Sequence, residues 1–186
     1  MAKEQLTGKS LENVHKLVFL ANEYPGKQFI EIANMLQMGA LDKNVAIWRA
    51  QDAGFLTINE DDSYTVDLVP DKWELGGDVA NLVELITYTF KRLARDETDM
   101  EENILGNWCV GYPVHDVMIA LKTLINDKVL VDYEVKHFDD KPQSKKAKGR
   151  GKQPEQVENV YTFYTLYENM EMRWGAKQFK NQEELR

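Results

Sequence analysis

Apolar residues recur every three to four positions along most of the chain, which predicts a mainly helical protein. Val14, Leu17, Val18 and Ala21 share one face of a first helix over 10–23, with Ser10 as N-cap and Tyr24-Pro25-Gly26 as its stop. Phe29, Ile32, Ala33 and Leu36 line a second helix over 28–37. After a turn at Met38-Gly39-Ala40, Asp42 caps a third helix ending near residue 53. Gly54 follows where a left-handed backbone is needed. Two β-rich runs, 55–58 and 64–66, flank the polar turn Asn59-Glu60-Asp61-Asp62-Ser63 and read as a hairpin.

The second half repeats this order. Residues 69–78, with Pro70, Gly76 and Gly77, read as a linker in which Trp73 docks on a domain. Leu82, Leu85, Ile86, Phe90 and Leu93 form the stripe of a helix over 79–95. Thr98 followed by Glu101 is a capping-box signal for a helix through Trp108. Gly111 and Tyr112 break it, and Pro113 suits the first turn of a helix reaching residue 127. Residues 129–138 and 157–167 read as strands, and the polar remainder from 168 as a helix.

A shift of 74 positions lays Ala46-Ile47-Trp48-Arg49-Ala50 on Ala120-Leu121-Lys122-Thr123-Leu124, with Gly54-Phe55-Leu56 on Lys128-Val129-Leu130. A third helix of pattern Ala-Leu-x-x-Leu-x-x-x-Gly-Leu-Val running straight into a hairpin resembles the winged-helix superfamily. The resemblance covers nearly the whole chain as two copies. It implies an α+β, mainly helical fold of two winged-helix domains, each of three helices followed by a β-hairpin wing. The expected division is a first domain over 1–68, a linker over 69–78, and a second domain over 79–167 with a long wing loop over 139–156. A C-terminal helix over 168–186 completes it. The alternative is an α+β protein with two unrelated hairpins.

In that family the third helix recognises DNA, through polar side chains on its outer face. In the first copy Ile47 and Ala50 are core positions, and Lys43, Asn44, Val45, Trp48 and Arg49 face outward. Asn44 and Arg49 suit base edges and Lys43 a phosphate; Val45 and Trp48 suit neither. In the second copy Val117, Ala120, Leu121 and Leu124 are core, and His115, Met118, Ile119, Lys122 and Thr123 face outward. Lys122 is a candidate DNA contact. Trp48, Met118 and Ile119, apolar where a reader would be polar, are candidate partner-binding residues. Cover from flanking segments of the same chain, carrying Leu6, Leu11, Trp174 and Phe179, is the competing explanation.

Charge sharpens this picture. The 186 residues carry a net charge of −8, which by itself argues against a protein that coats DNA. The charge is uneven: residues 1–78 hold 7 basic and 13 acidic side chains, residues 79–186 hold 16 and 18. Within 141–152, six of twelve residues are cations (Lys141, Lys145, Lys146, Lys148, Arg150, Lys152) and none is acidic. Placed at a wing tip, such a segment tracks phosphates without reading sequence. Gly149 and Gly151 would let the backbone approach a groove, and Arg150 suits a narrow minor groove. The plainer explanation is a solvated loop.

Catalytic chemistry finds no parts. His15, His115 and His137 are scattered without metal-ligand spacing, and the single cysteine, Cys109, has no orienting base beside it. Glu60-Asp61-Asp62 lacks the spacing of a calcium loop, and no glycine-rich phosphate loop follows a strand. Neither an enzyme nor a cofactor is expected. One cysteine suits the cytoplasm, and no apolar run predicts a membrane span or a signal peptide. The expected function is therefore DNA binding in regulation or genome handling, of a phage or bacterial kind, with double-stranded DNA as partner. The alternative is a tandem winged-helix interaction subunit that binds a protein or its own twin through apolar third-helix faces.

Overall fold

A computed structural model describes residues 6–92, 99–140 and 156–168. The fold is α+β. Its first half runs α1 (Gly8–Glu23), α2 (Phe29–Met35), α3 (Ala40–Asp52), β1 (Leu56–Ile58) and β2 (Tyr64–Val66). Its second half runs α4 (Gly77–Arg92), β3 (Asp99–Met100), α5 (Glu101–Asn103) continued by a π-helical turn (Ile104–Trp108), α6 (Val114–Asn126), β4 (Leu130–Asp140) and β5 (Gln156–Leu166). β1 and β2 pair antiparallel, Leu56 opposite Val66. In the second sheet β5 lies between β3 and β4, antiparallel to both. Among the described residues no helix is long and apolar enough to cross a membrane.

Local chemistry explains most element ends. Gly54 adopts φ +79° and closes α3, where a side chain would strain the left-handed backbone. Gln28 and Glu31 form a reciprocal capping box on α2, and Asp62 Oδ2 accepts the Ile30 N–H, so the first hairpin helps to hold that helix start. The caps expected at Ser10 and Asp42 fall instead on Thr7 and Gly39. The helix expected up to Trp108 does end there, but its expected start near Thr98 is corrected. Asp99 and Met100 pair with Tyr164 and Phe163, and only a short α-helical stretch and a π turn follow. The edge of β5 takes up these two residues as a partner strand, because unpaired strand groups demand partners.

The two halves share one continuous core. α1 is buried without a break from Val14 to Ala21, and α6 from His115 to Leu121. Helices buried all round lie in a molecule's interior rather than on its surface. Leu17, Leu20 and Ile32 of the first half join Leu82, Ile119 and Leu121 of the second. Each such side chain contributes about 1.5–3 kcal/mol by leaving water. Residues 69–78 are docked too. Trp73 packs edge-on against Phe19 and His15, with ring centroids 5.2 and 5.8 Å apart, and the Glu74 N–H donates to His15 Nδ1 at 2.8 Å.

Candidate functional site

The two third helices have different surroundings. α3 leaves one face bare: Leu41, Val45 and Trp48, at i, i+4 and i+7, are 77%, 37% and 62% exposed. Asn44 is exposed beside them and Lys43 is half-buried. Arg49 is half-buried and donates from its guanidinium to Ser10 Oγ of α1. Its expected place as an outward base reader is therefore corrected: it helps to hold α3 on α1.

On α6 the outward face expected for His115, Met118 and Ile119 does not exist. Ile119 is fully buried and Met118 and His115 nearly so, at 9% and 3% exposure. They are core residues in this chain and not an exposed partner face. Lys122 is half-buried as well. Its Nζ lies 3.6 Å from Asp132 Oδ2 and 5.1 Å from the centre of the Tyr24 ring, so it serves packing inside the molecule. Both α4 and α1 pack on α6. The covering segments expected around Trp174 and Phe179 lie outside the described residues.

A buried charge network at the α1–α6 junction escaped the sequence reading. Lys16 Nζ sits 2.7 Å from Asp116 Oδ1 and 2.8 Å from Glu12 Oε1, with Lys16 and Asp116 each 2% exposed. Burial alone would lower the Lys16 pKa, but its bonds to Asp116 and Glu12 outweigh that and raise it, keeping the ammonium charged. Next to the pair, His115 Nδ1 accepts the Gln37 N–H at 3.0 Å, and Gln37 Oε1 accepts the Val114 N–H at 3.0 Å. His115 Nε2 lies 3.4 Å from Asp116 Oδ1. Burial pushes the His115 pKa down, so this imidazole stays neutral. The signal was present in the sequence: one lysine inside the apolar run 14–21 and one aspartate at the start of the apolar run 117–121, of opposite sign.

The second hairpin is the most extended feature. β4 and β5 keep unbroken register from Leu130 opposite Leu166 to Asp140 opposite Gln156. Eleven paired residues per strand reach about 35 Å. Tyr133 and Phe163 stack across the strands with centroids 5.6 Å apart. The candidate phosphate contacts Lys141, Lys145, Lys146, Lys148, Arg150 and Lys152 lie outside the described residues, between the two strands in sequence.

Two lesser candidates have local explanations. Asp61 Oδ1 accepts the N–H and the hydroxyl of Ser63, and Asp62 Oδ2 the Ile30 N–H, so this acidic turn caps itself. The Cys109 thiol is buried and pushed up to about 11, which keeps it protonated in the core. Among the described residues no three His, Cys, Asp or Glu side chains come together to hold a metal. Comparison with known proteins finds no family model, no curated protein and no solved structure that matches this chain.

Proposed function

We propose that the chain is a tandem winged-helix protein that binds double-stranded DNA, with the β4–β5 hairpin as a wing that grips the phosphate backbone. The observation that carries this reading is the unbroken β4–β5 ladder. Its last pair, Asp140 and Gln156, leaves residues 141–155 as the connection at the far end of a long arm. That connection holds six cations and one acid. A cationic tip carried away from an acidic body meets phosphates first and is attracted without sequence preference. In support, the second half has its three helices ahead of the hairpin, with β3 added beside β5.

The buried α6 has no face for a major groove, so α3 is the one third helix free to read bases, through Asn44 with Lys43 on a phosphate. The test is a mobility-shift titration of duplex DNA with three proteins: the natural chain, a variant with Lys141, Lys145, Lys146, Lys148, Arg150 and Lys152 changed to Gln, and Asn44→Ala. The six-fold variant loses binding to every duplex, whereas Asn44→Ala weakens preferred sequences by about 1–3 kcal/mol and spares the rest. Undiminished binding by the six-fold variant would remove the wing from the interface.

A second reading is favoured by one observation, the bare Leu41–Val45–Trp48 stripe. An exposed tryptophan on a helix is a common centre of a protein contact. Here the chain is an interaction subunit that docks a partner or its twin through α3. A chain that ignores single- and double-stranded DNA at low salt, yet loses self-association on Trp48→Ala, supports this reading over the first.

A further inference from the structure

Between the two halves lies a cleft of about 1340 Å³, larger than the usual small-molecule pocket. The first half contributes Glu23, Tyr24, Lys27 and Met35, and the second contributes Glu101, Leu105, Met118 and the inner part of the β4–β5 sheet. Its charge is unbalanced. The lining holds four acids, Glu23, Glu101, Asp132 and Glu134, against three lysines, of which Lys122 is paired with Asp132 and Lys27 lies 3.7 Å from Glu31 outside the cleft. Glu101 and Glu23 are fixed rather than floating: Tyr164 Oη donates to Glu101 Oε2 at 2.6 Å, and Asn126 Nδ2 to Glu23 Oε1 at 3.3 Å.

The cleft already holds one cation in the manner expected for a guest. Lys122 Nζ lies over the Tyr24 ring with a carboxylate beside it. Among the described residues the buried Tyr24 hydroxyl has no hydrogen-bonding partner. Tyr167, exposed at the cleft, adds a second ring. Met35, Leu105 and Met118 supply adaptable apolar contacts for the alkyl stems of long side chains.

From these features we infer that the cleft receives a lysine- or arginine-bearing segment of another polypeptide, its stems on the methionines and its charges on Glu23, Glu101 and Glu134. The size of the cleft favours a chain segment over a single small amine. The site is separate from the hairpin tip, so the inference stands or falls independently of DNA binding.

The test is anisotropy of a labelled alternating Lys-Ala peptide at about 50 mM salt, with a Glu-Ala peptide as control and spermidine as a small cation. The Lys-Ala peptide binds the natural chain, the Glu-Ala peptide does not, and spermidine binds at least about tenfold more weakly than the peptide. Changing Glu23, Glu101 and Glu134 together to Gln weakens the peptide by about tenfold or more. Glu60→Gln, Asp71→Asn and Glu84→Gln, an equal loss of charge on exposed surface, leaves it unchanged. Tyr167→Ala, which removes an exposed ring, weakens it severalfold in a chain that still folds. Equal affinity in the two triple variants, equal binding of spermidine, or no peptide binding would overturn the inference.

Discussion

Lys16 of α1 and Asp116 of α6 pair where the two halves meet. Each is 2% exposed, and each is tolerable in the core because the other neutralises it 2.7 Å away. Asp116→Ala therefore destabilises the protein by about 3–5 kcal/mol in denaturant unfolding, since Lys16 is left buried and uncompensated apart from Glu12. The double change Lys16→Met with Asp116→Leu recovers most of that loss. A double variant as unstable as the single one would contradict the pairing.

The neighbouring histidines set a pH dependence. Burial depresses the pKa of both His15 and His115 below 6.5 in the folded chain. The unfolded state then binds more protons near and below pH 6.5, so this part of the stability is intact above that pH and is lost as pH falls. Each histidine contributes a slope of up to about 1.4 kcal/mol per pH unit within its window. Midpoints of urea unfolding from pH 8 to 5 measure it. His115→Gln reduces the slope, and an unchanged slope in that variant and in His15→Gln would contradict the assignment.

Among the elements, α3 and α6 each lead into a hairpin and have opposite environments. Ile119→Ala on α6 costs about 2–5 kcal/mol, because a fully buried side chain leaves a cavity. Trp48→Ala on α3, at 62% exposure, costs less than about 1 kcal/mol in the isolated chain. Thermal unfolding of the two variants checks the contrast, and equal losses would contradict it.

The same helices show how much was legible in the sequence. The helical stripes, the glycine stop at Gly54, the docking of Trp73, the first hairpin and the long strand pair follow from periodicity and turn chemistry, and the structure has them. A single helical face puts Met118 and Ile119 outside, whereas the structure buries both. α6 packs on two sides, and an apolar run that fills both faces signals burial, not an exposed patch. β3 was missed because two residues carry no period of their own; their strand is created by the edge of β5. The cleft was illegible for a related reason, since Tyr24, Glu101 and Met118 meet only when the halves pack.

At the scale of the whole molecule, the two halves share one core, with an acidic first half and a long hairpin leading to a connection rich in cations. The proposed DNA binding puts the phosphate contacts on that one segment, which gives a quantitative expectation. Six cations neutralising phosphates give a slope of log K against log salt of about −5, from about −0.9 per contact. The most direct measurement is that slope for duplex DNA, taken with the natural chain and with the variant lacking Lys141, Lys145, Lys146, Lys148, Arg150 and Lys152. The expected result is a steep slope that nearly flattens in the variant; the same slope in both proteins, or no binding by the natural chain at low salt, would rule out the wing as the phosphate grip.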